Sequence, residues 1–200
     1  MTSDGIDHLA QSCPVMAALI ERYPTPDIGP IPPESYFERL ASSIIGQQLS
    51  VKAANTIESR LHTALGELTP QTVTDAPLEV LREAGLSGQK SSYLVHLAEA
   101  FSVGSVVPDE LTDLPDQDVV TTLTAIRGVG PWTAEMFLIF GLGRIDVWSP
   151  GDLGLRKGVE HFFGDTQHSS EIAVRWAPYR SIAAWYIWEH SDRGYPPLDG

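Results

Sequence analysis

The stretch Leu123-Thr124-Ala125-Ile126-Arg127-Gly128-Val129-Gly130-Pro131-Trp132-Thr133-Ala134 decides the reading of this chain. One helically spaced apolar run ends at Ile126, and another begins directly after Pro131. Gly128 and Gly130 give the backbone the freedom for a tight reversal between them. Pro131 stands where a helix starts, because the first helical residue needs no N–H partner. The stretch therefore predicts helix, hairpin, helix. The hairpin glycines and the next helix N-terminus would turn backbone N–H groups outward, forming a nest that holds a phosphate without net positive charge. A bare Gly-x-Gly between helices is more often an ordinary corner. The longer string Ile-x-Gly-x-Gly-x-x-Thr-Ala is far more specific.

Outward from the hairpin the apolar spacing is helical nearly everywhere. Ile6, Leu9, Cys13, Met16 and Ile20 mark one face of a first helix. The stretch from Tyr23 to Pro33 holds five prolines and a glycine and reads as an ordered loop or linker. Tyr36, Phe37, Leu40, Ile44 and Ile45 mark a helix ending near Gly46. Ser50 caps another that runs through Ile57, Leu61 and Leu65. Asp75, Ala76 and Pro77 open a short helix with Leu78 and Leu81, and Ser87 to Phe101 forms the next. Further helices are expected over 116–126, 131–140, 149–163, 170–176 and 179–190. Only 143–148 shows an ambiguous alternation. The fold class is all-α, with about nine or ten helices on this periodicity.

Composition limits the function. Among 200 residues, 13 Lys and Arg face 26 Asp and Glu, a net charge of −13. A strongly basic nucleic-acid binder is excluded as the default, so any phosphate contact must come from a local patch. From Ser91 to Ile126 there is no Lys or Arg, and that side should repel phosphate. Cys13 is the single cysteine, which excludes an internal disulfide, a cysteine-ligated iron–sulfur cluster and a zinc finger. No apolar run reaches transmembrane length, and Asp4 and Asp7 stand where a signal peptide has Lys or Arg. The expectation is a soluble intracellular protein with one domain, or two lobes sharing a core. His8, His62, His96, His161, His168 and His190 show no metal-ligand spacing. His161 and Asp165, at i and i+4, read as a surface pair. There is neither a P-loop nor a nucleophile elbow.

The hairpin string closely resembles the DNA-binding hairpin of the helix–hairpin–helix DNA glycosylase superfamily. Four other stretches resemble the same family in order and spacing. They are Ser43-Ile-Ile-Gly-Gln-Gln-Leu-Ser50, Gly85-Leu-Ser-Gly-Gln-Lys-Ser-Ser-Tyr93, Arg144-Ile-Asp-Val-Trp-Ser-Pro-Gly-Asp-Leu-Gly-Leu-Arg156, and Trp176 to Trp188. Within the superfamily the likeness is to 3-methyladenine DNA glycosylase II, the alkylation-repair branch. The resemblance implies a two-lobed glycosylase domain over residues 1–200. One lobe, 36–143, ends in the helix–hairpin–helix, and the other combines 1–35 with 144–200. Only a short segment precedes Tyr36, so the N-terminal β domain of the best-known branch members is not expected, nor is an iron–sulfur cluster.

The resemblance also implies roles. Asp152 matches the catalytic aspartate. N-glycosidic cleavage develops positive charge on the sugar, which a carboxylate stabilises while orienting water. Local sequence reads the same residue as part of a helix start, with Ser149 as N-cap, Pro150 at N1 and the acid at N3. The two roles are compatible, because the positive end of a helix favours negative charge. Asp146 is the nearest rival acid and matches a structural position. Trp132 replaces the Schiff-base lysine of the members that nick DNA, which implies a monofunctional enzyme leaving an intact abasic site. Its indole can stack on a flipped base, with Trp188 and Met136 as further substrate contacts. Gln47 and Gln48 match the region that fills the gap left by the flipped nucleotide, Gln48 as the wedge. DNA contacts fall to Arg127, Gly128, Val129, Gly130 and Thr133 of the hairpin and to Lys90. No cofactor is required. The backbone carbonyls of Thr124, Ile126 and Gly128 match those that hold a structural Na+ or K+ in relatives. The implied partner of this protein, expected to be a monomer away from membranes, is double-stranded DNA containing damaged bases. Three alternatives stay open: a non-catalytic DNA-binding module, a glycosylase for oxidised or mismatched bases, and an acidic helical interaction protein.

Overall fold

Pro14 divides the first apolar run. In the computed structural model, which describes residues 3–164 and 168–198, helix α1 spans Ser3–Ser12 and α2 spans Pro14–Arg22. Cys13 lies extended between them at φ −169° and ψ 157°. The single helix expected through Ile6, Cys13 and Ile20 is thus two. A residue before proline is pushed out of the helical region, and proline itself cannot donate to the preceding turn. Leu9, Met16 and Leu19 are fully buried.

The chain forms two compact units. One is Ile31–Leu142, and the other joins Met1–Pro30 with Gly143–Gly200. The first unit begins with a 3-10 turn over Pro33–Ser35. There follow α3 (Tyr36–Gly46), α4 (Val51–Leu65), α5 (Pro70–Asp75), α6 (Leu78–Glu83), α7 (Gly88–Ser102), α8 (Pro108–Leu111), α9 (Asp116–Thr124) and α10 (Pro131–Phe140). In α3 the residues Tyr36, Phe37, Leu40, Ala41, Ile44 and Ile45 form one buried stripe, as a helix facing a core requires. Tyr36 meets Phe137 of α10 edge-on with ring centroids 5.1 Å apart, and Phe37 meets Phe101 of α7 at 5.5 Å. The apolar sequence of α10 is buried through Thr133, Ala134, Met136, Phe137, Leu138 and Ile139.

Side-chain caps start α4 and α7. Ser50 Oγ accepts the Ala53 N–H, and Ser87 Oγ accepts the Lys90 N–H. Helix α5 lies in a stretch without a sequence expectation. Its signal was Thr69 before Pro70, where Thr69 and Thr72 exchange backbone and side-chain hydrogen bonds in a capping box. Another short helix, α8, starts at Pro108 in the acidic stretch.

The second unit adds α11 (Leu153–Phe163), α12 (Ser169–Ala173) with a 3-10 turn over Val174–Trp176, and α13 (Arg180–Asp192). The described residues therefore hold thirteen α-helices and no strand, more helices than expected because Pro14 divides the first and the short α5 and α8 are added. The ambiguous segment 143–148 is tied to the start of α13 instead of pairing as a strand. The Val147 N–H donates to Ser181 Oγ at 2.9 Å, and the Ser181 N–H donates to the Ile145 carbonyl at 3.0 Å. Asp146 takes Arg180 Nε at 2.7 Å and Nη2 at 2.9 Å, the structural role its position implied.

Helices α11 and α13 approach closely because α11 carries glycine on the facing side. A Cβ on Gly158 would sit 2.2 Å from Ile187 Cγ2, so only glycine admits this contact. Trp176, Leu155, Val159, Ile182, Tyr186 and Ile187 fill the surrounding core. Asp165, the expected partner of His161, lies outside the described residues. No helix of the described residues is long and apolar enough to cross a membrane. Among the same residues no three His, Cys, Asp or Glu side chains gather where they could hold a metal ion.

Candidate active site

Asp152 is itself the N-cap of α11. Its backbone is extended, and Oδ1 accepts the Leu155 N–H at 2.7 Å. This corrects the expected start, in which Ser149 capped and the acid stood at N3. Ser149 is fully buried, and its carbonyl accepts the Asp152 N–H at 3.1 Å. Ser149 to Asp152 therefore form a turn that delivers the carboxylate to the helix end, where it satisfies an N–H left unpaired by the helix. The same Oδ1 receives the indole Nε1–H of Trp188, from α13, at 2.9 Å. Asp152 is only 9% exposed.

Glycine spacing in α11 makes this convergence fit. A Cβ on Gly154 would lie 3.1 Å from Asp152 Oδ1 and 3.2 Å from Trp188 Cδ1. Gly154 and Gly158, four residues apart, lie on one helix face. The first leaves room for the carboxylate–indole contact and the second lets α13 come near. Two N–H donors on one oxygen fix the orientation of the carboxylate, so it can face an adjacent cation without rearranging first.

The other unit holds the hairpin, between the end of α9 and Pro131. Only Gly128 is in the left-handed region, at φ +101°; Gly130 has φ −95°. The expectation that both glycines supply special backbone freedom thus holds for the first alone. Gly128 also has no room for a side chain, since a Cβ would lie 2.2 Å from Tyr93 Cγ. Around Gly130 the Cβ position is open, leaving the backbone approachable from outside. Ile126 and Val129 are buried anchors, and the Val129 N–H closes the turn onto the Ile126 carbonyl at 3.0 Å. Arg127 is exposed. Thr133 is buried, so its side chain faces the core and only its backbone is left for a phosphate. Met136 is buried too, whereas Trp132 in the first turn of α10 is 41% exposed.

The turn after α3 presents Gln48, which is exposed and holds a left-handed φ of +58°. Gln47 beside it faces inward, its amide donating to the Gly128 carbonyl at 3.1 Å. Lys90 also points inward. Its Nζ donates to the Ile45 carbonyl at 2.7 Å and to the Gln47 carbonyl at 2.6 Å, and burial pushes the ammonium pKa below the usual lysine value. These partners lie 43 to 81 residues apart in sequence, beyond the reach of any local pattern. Of the three carbonyls implied for a monovalent cation, Ile126 O accepts Val129 N–H and Gly128 O accepts the Gln47 amide. A carbonyl oxygen has two lone pairs, so each of these hydrogen bonds leaves one on that oxygen for an ion.

The family model described as HhH-GPD superfamily base excision DNA repair protein matches residues 41–177. The chain is 34% identical over 165 residues to DNA-3-methyladenine glycosylase 1 of Schizosaccharomyces pombe, covering 78% of this chain and 72% of the relative. Its structure is similar to that of a DNA-3-methyladenine glycosidase from Bacillus halodurans, with a TM-score of 0.81 and 33% identity over 98% of this chain and 94% of that one. It is also similar to a Schizosaccharomyces pombe 3-methyladenine DNA glycosylase in complex with abasic DNA, with a TM-score of 0.86 and 29% identity over 98% of this chain and all of the other. The chain thus belongs to the HhH-GPD superfamily, and its relatives there include 3-methyladenine DNA glycosylases.

Proposed function

We propose that the protein is a monofunctional DNA glycosylase that removes alkylated purines of the 3-methyladenine kind and leaves an abasic site. The observation that carries this reading is the Asp152 carboxylate, nearly buried yet fixed by Leu155 N–H and Trp188 Nε1–H on one oxygen. A buried acid whose geometry is set by a cap and an indole suits electrostatic stabilisation of a sugar cation. Binding begins at the hairpin, where N–H groups near Gly130 and in the first turn of α10 take a DNA phosphate, helped by Arg127. Gln48 then enters the stack and props the duplex while the damaged nucleotide turns outward. The exposed Trp132 indole stacks on the extruded base, and a cationic alkylated purine binds an electron-rich ring more strongly than a neutral base does. As the N-glycosidic bond breaks, the purine leaves with the bonding electrons. The Asp152 carboxylate stabilises the positive sugar and orients the water that adds to it, and the water's extra proton is lost to solvent as the sugar hydroxyl forms. The substrate is double-stranded DNA, which places the protein inside the cell with the genome.

The test is release of free base. Duplex DNA treated with a methylating agent is incubated with the protein, and the released bases are separated and identified. Methylated purines in the soluble fraction are the expected result. Release of oxidised or mismatched bases alone would move the protein to another branch of the superfamily. Tight DNA binding with no base released would make it a non-catalytic hairpin module.

A further inference from the structure

We infer that Lys90 is a positioning residue, which with Gln47 forms a strut fixing the turn that carries Gln48 against the phosphate-binding hairpin. The inference rests on the proposed role of Gln48 as the side chain that fills the flipped nucleotide's gap. Gln48 holds φ +58°, a region that side-chain-bearing residues visit at a cost and that persists only where the surroundings over-determine it. Lys90 and Gln47 are those surroundings. The Lys90 ammonium donates to the Ile45 and Gln47 carbonyls, at the negative end of α3, immediately before Gln48. The Gln47 amide then reaches the Gly128 carbonyl. Gly128 in turn lies against the Tyr93 ring, too close for any Cβ.

Lys90 and Tyr93 stand three residues apart on α7, on adjoining positions of one face. One holds the intercalating turn and the other backs the hairpin, so both DNA-contacting loops are referred to a single helix. A lysine that bound phosphate would turn its donors outward. Here two of its three N–H bonds are spent on protein carbonyls, and burial already disfavours the charge. Lys90 therefore contributes geometry, where sequence reasoning assigned it to DNA contact.

Salt dependence and base unstacking separate the two roles. The probe is a duplex carrying an abasic analogue next to 2-aminopurine, whose fluorescence rises when its neighbour is unstacked. Lys90→Met should lose most of that rise, and duplex excision should fall roughly tenfold or more, while excision from single-stranded DNA, which needs no wedge, stays within about twofold. The slope of log affinity against log salt should not change. Gln47→Leu, which alters no charge and leaves Lys90 in place, should lose part of the fluorescence rise at an unchanged slope, and it carries the test if Lys90→Met does not fold. A slope shallower by about one phosphate contact in Lys90→Met, with unstacking intact, would overturn the strut. Full unstacking by Gln47→Leu would also overturn it. Unstacking is read on DNA with no base to release. A wild-type protein that unstacks this duplex but excises nothing would therefore refute the catalytic reading and leave the strut supported, and one that does not unstack it would overturn the strut.

Discussion

Trp188 is hydrogen-bonded to Asp152, its indole Nε1 lying 2.9 Å from the carboxylate Oδ1 that also caps α11. Sequence likeness offers Trp188 as a substrate contact, and the hydrogen bond adds a hold on the carboxylate. Trp188→Phe keeps an aromatic ring but removes the N–H together with part of the indole's bulk. A hydrogen bond to a charged group contributes about 1.5–3 kcal/mol, so the single-turnover excision rate should fall by roughly ten- to a hundredfold if the carboxylate loses its orientation. Affinity for an abasic-analogue duplex should hardly change. An unchanged rate would show that Trp188 does not position Asp152.

The glycines of α11 give a separable pair of effects. Gly158→Ala forces a Cβ to within 2.2 Å of Ile187 Cγ2, and relief requires α13 to move. Overpacking of this kind costs about 1–3 kcal/mol, measurable by urea denaturation. Gly154→Ala crowds Asp152 Oδ1 and Trp188 less, at 3.1–3.2 Å, so it should affect excision more than stability. A Gly158→Ala protein as stable as wild type would contradict the packing described for these two helices.

On the proposed function Trp132 stands where lyase members of the superfamily carry a Schiff-base lysine, and an indole has no amine to add to a sugar aldehyde. Borohydride should therefore trap no protein–DNA adduct during turnover. Strand breaks should appear only after alkali or an added abasic-site nuclease, as read on denaturing gels. A trapped adduct would rule out the monofunctional reading.

Much of this arrangement is local and so readable in sequence. Pro131 at N1, Ser50 and Ser87 as caps, and the α3 stripe from Tyr36 to Ile45 each depend on neighbours within one or two turns. The structure departs from the local pattern where two signals compete. Pro14 interrupts an apolar run that keeps helical period across it, and Asp152 outcompetes Ser149 as the cap because its side chain reaches the Leu155 N–H directly. Features built from distant residues had no local signature. Nothing near Lys90 announces that its ammonium will serve carbonyls 43 and 45 residues away, and Gly158 reads as a weak point in a helix until Ile187 is placed over it.

His190 sets an acid limit on stability. It is fully buried, with Nδ1 2.9 Å from the Tyr23 hydroxyl and Nε2 without a partner among the described residues. Burial, and then the neighbouring His161 and Arg22, push its pKa below the ordinary histidine value. The unfolded chain therefore takes up a proton that the folded chain refuses. Stability should be level above about pH 6.5 and fall as the pH drops below that value. His190→Gln should flatten this decline in urea midpoints measured across the pH range. An equally steep decline in the variant would assign the effect to another group.

On the proposed function the Asp152 carboxylate does the chemistry while other groups hold the DNA. Asn is nearly as good an N-cap as Asp, so Asp152→Asn preserves the start of α11 and removes only the charge. The decisive measurement is single-turnover release of methylated purine from duplex DNA by wild type and Asp152→Asn, with binding to an abasic-analogue duplex measured in parallel. Asp152→Asn should lose most of the excision rate, on the order of a hundredfold or more, with binding unchanged or tighter. Excision by Asp152→Asn at close to the wild-type rate would contradict the proposed role of the carboxylate.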